Sequence, residues 1–509
     1  MKTKIRHQLA ARKRRIQRRL DKEKLGNCEQ PVFQPGSVRY ELAERTQGLS
    51  YGGIGSMLLL ARELGLAQAI DEHLHLLKVH LPYHESDHVL NFALNALCDG
   101  DCLEDIELRR NDEVFLNAIG ARRIPDPTTA GDFCRRFEEH HVRRLLDAFN
   151  VTRLKAWAKQ PAEFFAEARI DMDGMVLATT GECKQGMDIS YKGIWGYHPL
   201  VVSLANTGEV LGLVNRSGNR PSHEGCHVEV DRALQVCFQG GFRRVLLRGD
   251  TDFTQTEHLD RWAAHGCVRF IFGMDRKPNL QILADDLPAK AWEKLERPAR
   301  YEVRTKRRQR PENVKERIVA ERGYRNIRLE GERVAEFDYR PTACKQTYRM
   351  VVVKKILTVN DGQGRLHDDY CYFFYLTNDR EHSASEIVYL ANDRCDQENL
   401  LAQLHGGVRA LHAPLDGLVS NWAYMVMTSL AWNLKAWWAL HLPEPAGSRG
   451  EAQRAEKRQV LRMEFKTFLN AFMKMPCQIV NSGRRLIYRL LAWNPWQSVF
   501  FRLLDQLHC

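Results

Sequence analysis

With 509 residues, the chain is too long for one ordinary hydrophobic core, and roughly two to four domains are expected. A hydrophobic content of 44% excludes a largely disordered polypeptide, and a formal net charge of +11 favours a polyanionic partner. Charge alone does not choose among nucleic acid, anionic membrane and ribosome.

Residues 1–35 are expected to form a basic mobile arm. The first 25 positions hold eleven Lys and Arg, among them Arg14, Arg15 and Arg18, against Asp21 and Glu23. On a helix this charge wraps every face, so the segment is expected to stay mobile until it meets phosphate. A solubilising tail is the bland alternative. The segment has no apolar run of the kind a secretory signal needs.

Residues 36–160 read as a helical DNA-binding domain. Residues 53–70 are apolar at helical spacing, and Ser86 is suited to cap a helix through Leu97. Asp126-Pro127-Thr128-Thr129 opens another helix, continuing through Phe133, Phe137, Val142 and Leu145 on one face. Arg135, Arg136, Arg143 and Arg144 fall on the other faces, as DNA contacts or as an ordinary solvated surface. Cys98 and Cys102 sit four apart without a second pair, which reads as buried helix cysteines, not zinc ligands. None of the thirteen cysteines forms a CxxC pair, which fits free thiols in a reducing cytoplasm.

From residue 161 to 275 the pattern changes to strands. Ala168-Arg169-Ile170-Asp171-Met172-Asp173-Gly174 alternates, residues 199–205 and 210–215 are strand-like, and a helix over 228–238 leads into Val245-Leu246-Leu247-Arg248-Gly249-Asp250. A further helix and strand follow, which describes a mixed α/β sheet. Residues 276–377 read as a β-rich, basic insertion, with strands expected at 301–305, 317–320, 333–339, 348–354 and 370–376 and a basic run Lys306-Arg307-Arg308. Helices return over 378–509. The stretch 419–442 is apolar but interrupted by Ser420, Asn421, Thr428, Ser429 and Asn433, which predicts a buried helix of a soluble, cytoplasmic protein and no membrane partner.

Asp173 and Asp250 each end an apolar strand, where ligands of α/β sheets gather, and Asp171 shares the face of Asp173 by period-two alternation. Ser383 and Glu386 make a capping box that marks a helix start. Ile387, Ala391, Arg394 and Glu398 then follow at spacings that put them on one face, with Arg394 in reach of Glu398 or of a phosphate beside it. Magnesium binds carboxylates and phosphate oxygens, and two such ions can activate an attacking oxygen and stabilise a leaving one. Three converging acids repel one another without metal. Singly, each acid is as well read as a turn former, a cap or a solvated side chain.

In order along the chain stand Ile170-Asp171-Met172-Asp173-Gly174, Tyr191-Lys192-Gly193-Ile194-Trp195-Gly196-Tyr197-His198-Pro199, Asn215-Arg216-Ser217-Gly218-Asn219-Arg220, Arg248-Gly249-Asp250-Thr251-Asp252-Phe253 and Asn392-Asp393-Arg394-Cys395-Asp396-Gln397-Glu398-Asn399. Together these motifs resemble the DDE transposases of the insertion-sequence thirteen-eighty family, over roughly residues 50 to 480. The resemblance implies an RNase H-like mixed-sheet catalytic domain with a β-rich insertion, flanked by helical N-terminal and C-terminal regions. It implies Asp173, Asp250 and Glu398 as catalytic metal ligands, with Asp171 also a metal candidate, as the alternative to Asp173, and two Mg2+ ions held there with Mn2+ as a substitute. Arg394 matches the arginine of the family's Tyr-x2-Arg-x3-Glu-x6-Lys signature, whereas Ala391 and His405 stand in its tyrosine and lysine places. Lys192, Arg216 and Arg220 lie in motifs that suit phosphate contacts. The implied partners are double-stranded DNA, as insertion-sequence ends and target, and a second copy of the chain in a synaptic complex. Two rivals are a metal-dependent nuclease of the same fold without strand transfer, and a DNA-binding regulator with a dead catalytic domain.

Overall fold

The computed structural model describes residues 3–22, 38–40, 46–181, 183–297, 326–360, 366–445, 447–483 and 485–507. The expected strands at 301–305 and 317–320 and the basic run Lys306-Arg307-Arg308 lie outside them. In chain order, the elements used below begin with helices α1 (Thr3–Lys22), α2 (Glu85–Leu97), α3 (Pro127–Arg135) and α4 (Glu139–Trp157). They continue with strand β1 (Ala168–Gly174), strands β2 (Leu200–Leu204) and β3 (Glu209–Val214), helix α5 (Cys226–Gln239), strand β4 (Val245–Gly249), helix α6 (Thr256–Ala263) and strand β5 (Val268–Met274). Three long strands follow, β6 (Asn326–Tyr339), β7 (Tyr348–Asn360) and β8 (Leu366–Thr377), and then helices α7 (Ala384–Asn392), α8 (Cys395–Ala402) and α9 (Leu418–Leu440). The fold is mixed α/β with a large mixed sheet, and no helix among the described residues is long and apolar enough to cross a membrane.

The chain divides into two compact units. The first gathers residues 1–164, 174–220 and 399–509. Its centre is α9, the stretch expected as a buried helix, in which every residue from Ser420 to Leu440 is buried. Apolar residues on all sides suit a helix enclosed by others. Three sequence expectations need correction here. Within the expected mobile arm, Thr3–Lys22 forms a 20-residue helix, as its Arg, Lys, Gln, Leu and Ala content favours. Arg12 ties it down by donating to the carbonyls of Leu490 and Ala492 at 3.1 and 3.2 Å. The helix opened by Asp126 stops at Arg135 and restarts at Glu139, although Asp126 caps it as expected through the Thr129 amide at 2.8 Å. Cys98 caps the C-terminus of α2, but Cys102 lies beyond the helix and is exposed.

The second unit holds residues 165–173 and 221–398. Its strands run in the order β6-β7-β8-β5-β4-β1, with the two-residue strand Glu293–Lys294 outside β6. β1, β4 and β5 are parallel neighbours, while β5 through β6 pair antiparallel. The strands expected at 333–339, 348–354 and 370–376 are therefore parts of β6, β7 and β8, and they extend the sheet that carries β1 and β4 instead of forming one of their own. One face is covered by α7, whose Ile387 and Val388 are fully buried with Leu246, Ile271, Val351 and Val353. The other face takes α5, where Cys226 meets Met172, and α6, where Trp262 packs near Phe272. Alternation along β1 and β4 then puts Asp171, Asp173 and Arg248 on the α7 side.

Candidate active site

β1 and β4 lie side by side, parallel, with Asp171 opposite Arg248 in register. Two residues farther along each strand come Asp173 and Asp250, so both acids stand at the carboxyl ends of neighbouring strands. Side chains two apart share a face, and the next residues leave the sheet for loops, which opens these ends to a ligand.

Asp250 caps a short 3-10 turn over Thr251–Phe253 and accepts from the Asp252 amide at 3.0 Å. The turn folds back on β5, where a Cβ at Gly273 would come within 3.0 Å of the Thr251 nitrogen and 3.2 Å of the Asp250 carbonyl carbon. Glycine there allows the close approach that fixes the Asp250 loop. Burial pushes the Asp250 carboxyl above the ordinary aspartate range, the Arg394 guanidinium opposes this, and Asp252 adds to it.

Asp173 is mostly buried, and Arg394 Nη1 stands 3.4 Å from its Oδ2, with side-chain exposures of 17% and 16% for the acid and the arginine. Arg394 therefore serves two strand-end carboxylates at once, by contact with Asp173 and through the field on Asp250. A single continuous helix carrying Arg394 and Glu398 on one face is not what the chain builds. α7 ends at Asn392, the amides of Arg394, Asp396 and Gln397 bond three residues back, and α8 restarts at Cys395. Asn392 and Asp393 are weak helix formers, which favours the break at that point. Arg394 sits in the break and turns to Asp173, while Glu398 is exposed in the first turn of α8.

Asp171 behaves unlike Asp173. It is 1% exposed, and both its oxygens are taken by Arg248, Nε to Oδ1 at 2.7 Å and Nη2 to Oδ2 at 2.8 Å. Burial pushes its carboxyl up and the guanidinium opposes the shift. Arg248, which is not among the sequence candidates, is the buried partner of Asp171. Its signal was an opposite charge inside each of two apolar strands, Asp171 in one and Arg248 in the other.

The remaining sequence candidates lie in the first unit. Arg14, Arg15 and Arg18 are exposed on α1. Lys192 is exposed with its ammonium 5.3 Å from the Tyr191 ring centroid, and Arg220 is exposed. Arg216 is buried and donates from Nε to the His198 carbonyl at 2.9 Å. Among the described residues, the one His, Cys, Asp and Glu group with ligand atoms all within 4.8 Å is Glu138, His140 and His141, not the three expected carboxylates. That group is mostly exposed at a helix N-terminus, where the dipole disfavours cations, and the His141 ring already accepts from the Glu138 amide.

Asp173 and Asp250 nevertheless suit a hard divalent cation: oxygen donors, partly withdrawn from water, with the Arg394 guanidinium as their nearby countercharge. Among solved structures the chain is similar to a piggyBac transposase synaptic complex with hairpin DNA, at 10% identity and a TM-score of 0.36, covering 83% of this chain and 82% of that one. No curated protein matches the sequence. The family Transposase DDE domain group 1 matches residues 46–509, a span that includes Asp171, Asp173, Arg248, Asp250, Arg394 and Glu398. On that match, the chain belongs to the Transposase DDE domain group 1 family.

Proposed function

We propose that the chain is the transposase of an insertion sequence of the thirteen-eighty family, with an RNase H-like catalytic core. It binds the inverted-repeat ends of its element as double-stranded DNA, cuts them and joins them to a target in a cut-and-paste reaction, acting as a dimer in the synaptic complex. DDE transposase domains generally depend on a divalent metal. Asp173, Asp250 and Glu398 would hold two Mg2+ ions, with Mn2+ as a substitute, and the ions would supply Lewis-acid stabilisation of the attacking and leaving oxygens. Arg394 neutralises the carboxylates and is suited to bind the phosphate that meets them. Arg14, Arg15, Arg18, Lys192 and Arg220 supply backbone contacts, to which Arg216 adds through its loop.

The observation that carries this reading is the pair Asp173 and Asp250 at the ends of adjacent parallel strands, with Arg394 serving both. Asp173 is preferred to Asp171 as ligand because both Asp171 oxygens are engaged by Arg248. The test uses DNA flanking the reading frame, labelled at one end, with Mg2+ and a supercoiled target. Label joined covalently to the target is the expected product. Cleavage without joining makes the protein a nuclease, and end binding without cleavage makes it a regulator.

A further inference from the structure

Arg248 joins three segments that arrive from distant parts of the chain. Its backbone is the penultimate residue of β4 and leads through Gly249 to Asp250. Two of its nitrogens grip Asp171 on β1, two residues before Asp173. Its third, Nη1, donates to the carbonyl of Leu390 near the end of α7 at 2.9 Å. A continued helix would give Leu390 the amide of Arg394, but that amide goes to Ala391 at 3.3 Å. The break that sends Arg394 and Glu398 out of the α7 axis thus leaves a helix-terminal carbonyl, and Arg248 satisfies it. A cation at a helix C-terminus is also favoured by the dipole.

We propose that the Asp171–Arg248 pair is a positioning device for the metal-binding acids, fixing the mutual placement of Asp173, Asp250 and the Arg394–Glu398 turn. This rests on the reading of those acids as metal ligands. The pair is nearly inaccessible, with side-chain exposures of 1% and 2%, so neither member touches substrate. Only a planar guanidinium can make a bidentate bond to Asp171 and still reach the Leu390 carbonyl, a fork that lysine lacks. A buried ion pair is weak as a device for stability alone, which leaves its geometry as the reason to build it beneath a carboxylate site.

The experiment uses the full chain and Mn2+ as the probe, with free Mn2+ followed by its EPR signal. Variants are Arg248→Lys, Asp171→Asn, Asp250→Ala and, as a control, Arg153→Lys. Arg153 pairs with Glu209 in the other unit and is equally buried, at 1% and 0% side-chain exposure. Thermal melts establish that each variant is folded. Arg248→Lys and Asp171→Asn should each weaken Mn2+ binding about 10- to 100-fold, as loss of a group that orients metal ligands typically does. Arg153→Lys should lower the melting temperature and leave Mn2+ affinity unchanged, and Asp250→Ala should remove tight binding. Wild-type affinity in Arg248→Lys, or an equal loss in Arg153→Lys, overturns the proposal. So does Asp171→Asn losing binding as fully as Asp250→Ala while Arg248→Lys binds as wild type, for then Asp171 is itself a ligand. Tight Mn2+ binding by Asp250→Ala instead brings down the metal-site reading, and the positioning role with it.

Discussion

Glu209, at the head of β3 in the first unit, is wholly buried and surrounded by donors. Arg153 Nε reaches it at 3.0 Å, the indole N–H groups of Trp157 and Trp437 at 2.9 and 2.7 Å, and the Thr207 hydroxyl at 2.7 Å. Asp250, at the end of β4 in the second unit, is partly buried and relies on backbone amides of its own turn and on the more distant charge of Arg394. A carboxylate fully supplied with protein donors has nothing left to offer a ligand. One withdrawn from water and sparingly supplied favours any cation that arrives. The same residue chemistry thus serves architecture in one unit and is left open to a cation in the other.

Crossing the two positions gives the largest effects. Asp250→Ala should cost several kcal/mol of transition-state stabilisation, a loss of about 10^3-fold or more in DNA cleavage, with little change in thermal stability. Glu209→Ala should do the reverse of this in kind. It strands a buried guanidinium and two indole donors, and removing one partner of a buried ion pair costs about 3–5 kcal/mol of stability. Melting curves and cleavage rates on both variants check the contrast, which breaks if Asp250→Ala unfolds the protein and Glu209→Ala does not.

The contrast was only half legible in the sequence. Asp173 and Asp250 were visible because each ends an apolar strand, and the Ser383–Glu386 box marked the start of α7, where the structure has Ser383 as its cap. Glu209 was not, since one acid before Val210-Leu211 looks like a strand's polar edge, and apart from Thr207 the donors named above come from residues 153, 157 and 437. Arg248 was missed for the same reason: its partner Asp171 is remote in sequence, and pairing between strands leaves no local pattern. The break between α7 and α8 falls at the weak helix formers Asn392 and Asp393, and it coincides with the contacts of Arg248 to Leu390 and of Arg394 to Asp173, which spacing along one helix does not encode.

A smaller effect follows from pH. The folded-state pKa of Asp250 is raised, so the folded protein holds this proton more tightly than the unfolded chain does. The resulting destabilisation is absent below the unfolded aspartate pKa, grows as pH rises towards the folded value, and is complete above it. Without metal, Asp250→Asn should therefore melt above wild type at neutral pH, and the gap should close on acidification. With Mn2+ present the order should invert at neutral pH, because only the carboxylate binds the ion, and Mn2+ affinity should fall as pH drops through the raised pKa. A gap that widens on acidification would contradict this assignment.

The smallest effect extends the comparison to cations on a single helix. On α1, Arg12 is half-buried and engages the carbonyls of Leu490 and Ala492, whereas Arg14, Arg15 and Arg18 are exposed. The engaged arginine holds the helix to the first unit, as Glu209 is held; the exposed three remain available, as Asp250 is. Each phosphate contact made by a cation releases condensed counterions, and the logarithm of affinity then falls against the logarithm of salt by about 0.9 per contact. Replacing Arg14, Arg15 and Arg18 together by Ala should make that slope shallower by roughly 2 to 3 on any duplex sequence, because phosphate contacts carry no base information. Arg12→Ala should change the slope less than this and instead loosen α1, read as faster amide exchange along the helix. Band shifts on a random-sequence duplex between about 50 and 200 mM salt measure the slopes. An unchanged slope in the triple variant would remove α1 from the DNA interface, and a larger change from Arg12→Ala than from the three would reverse the roles assigned to them.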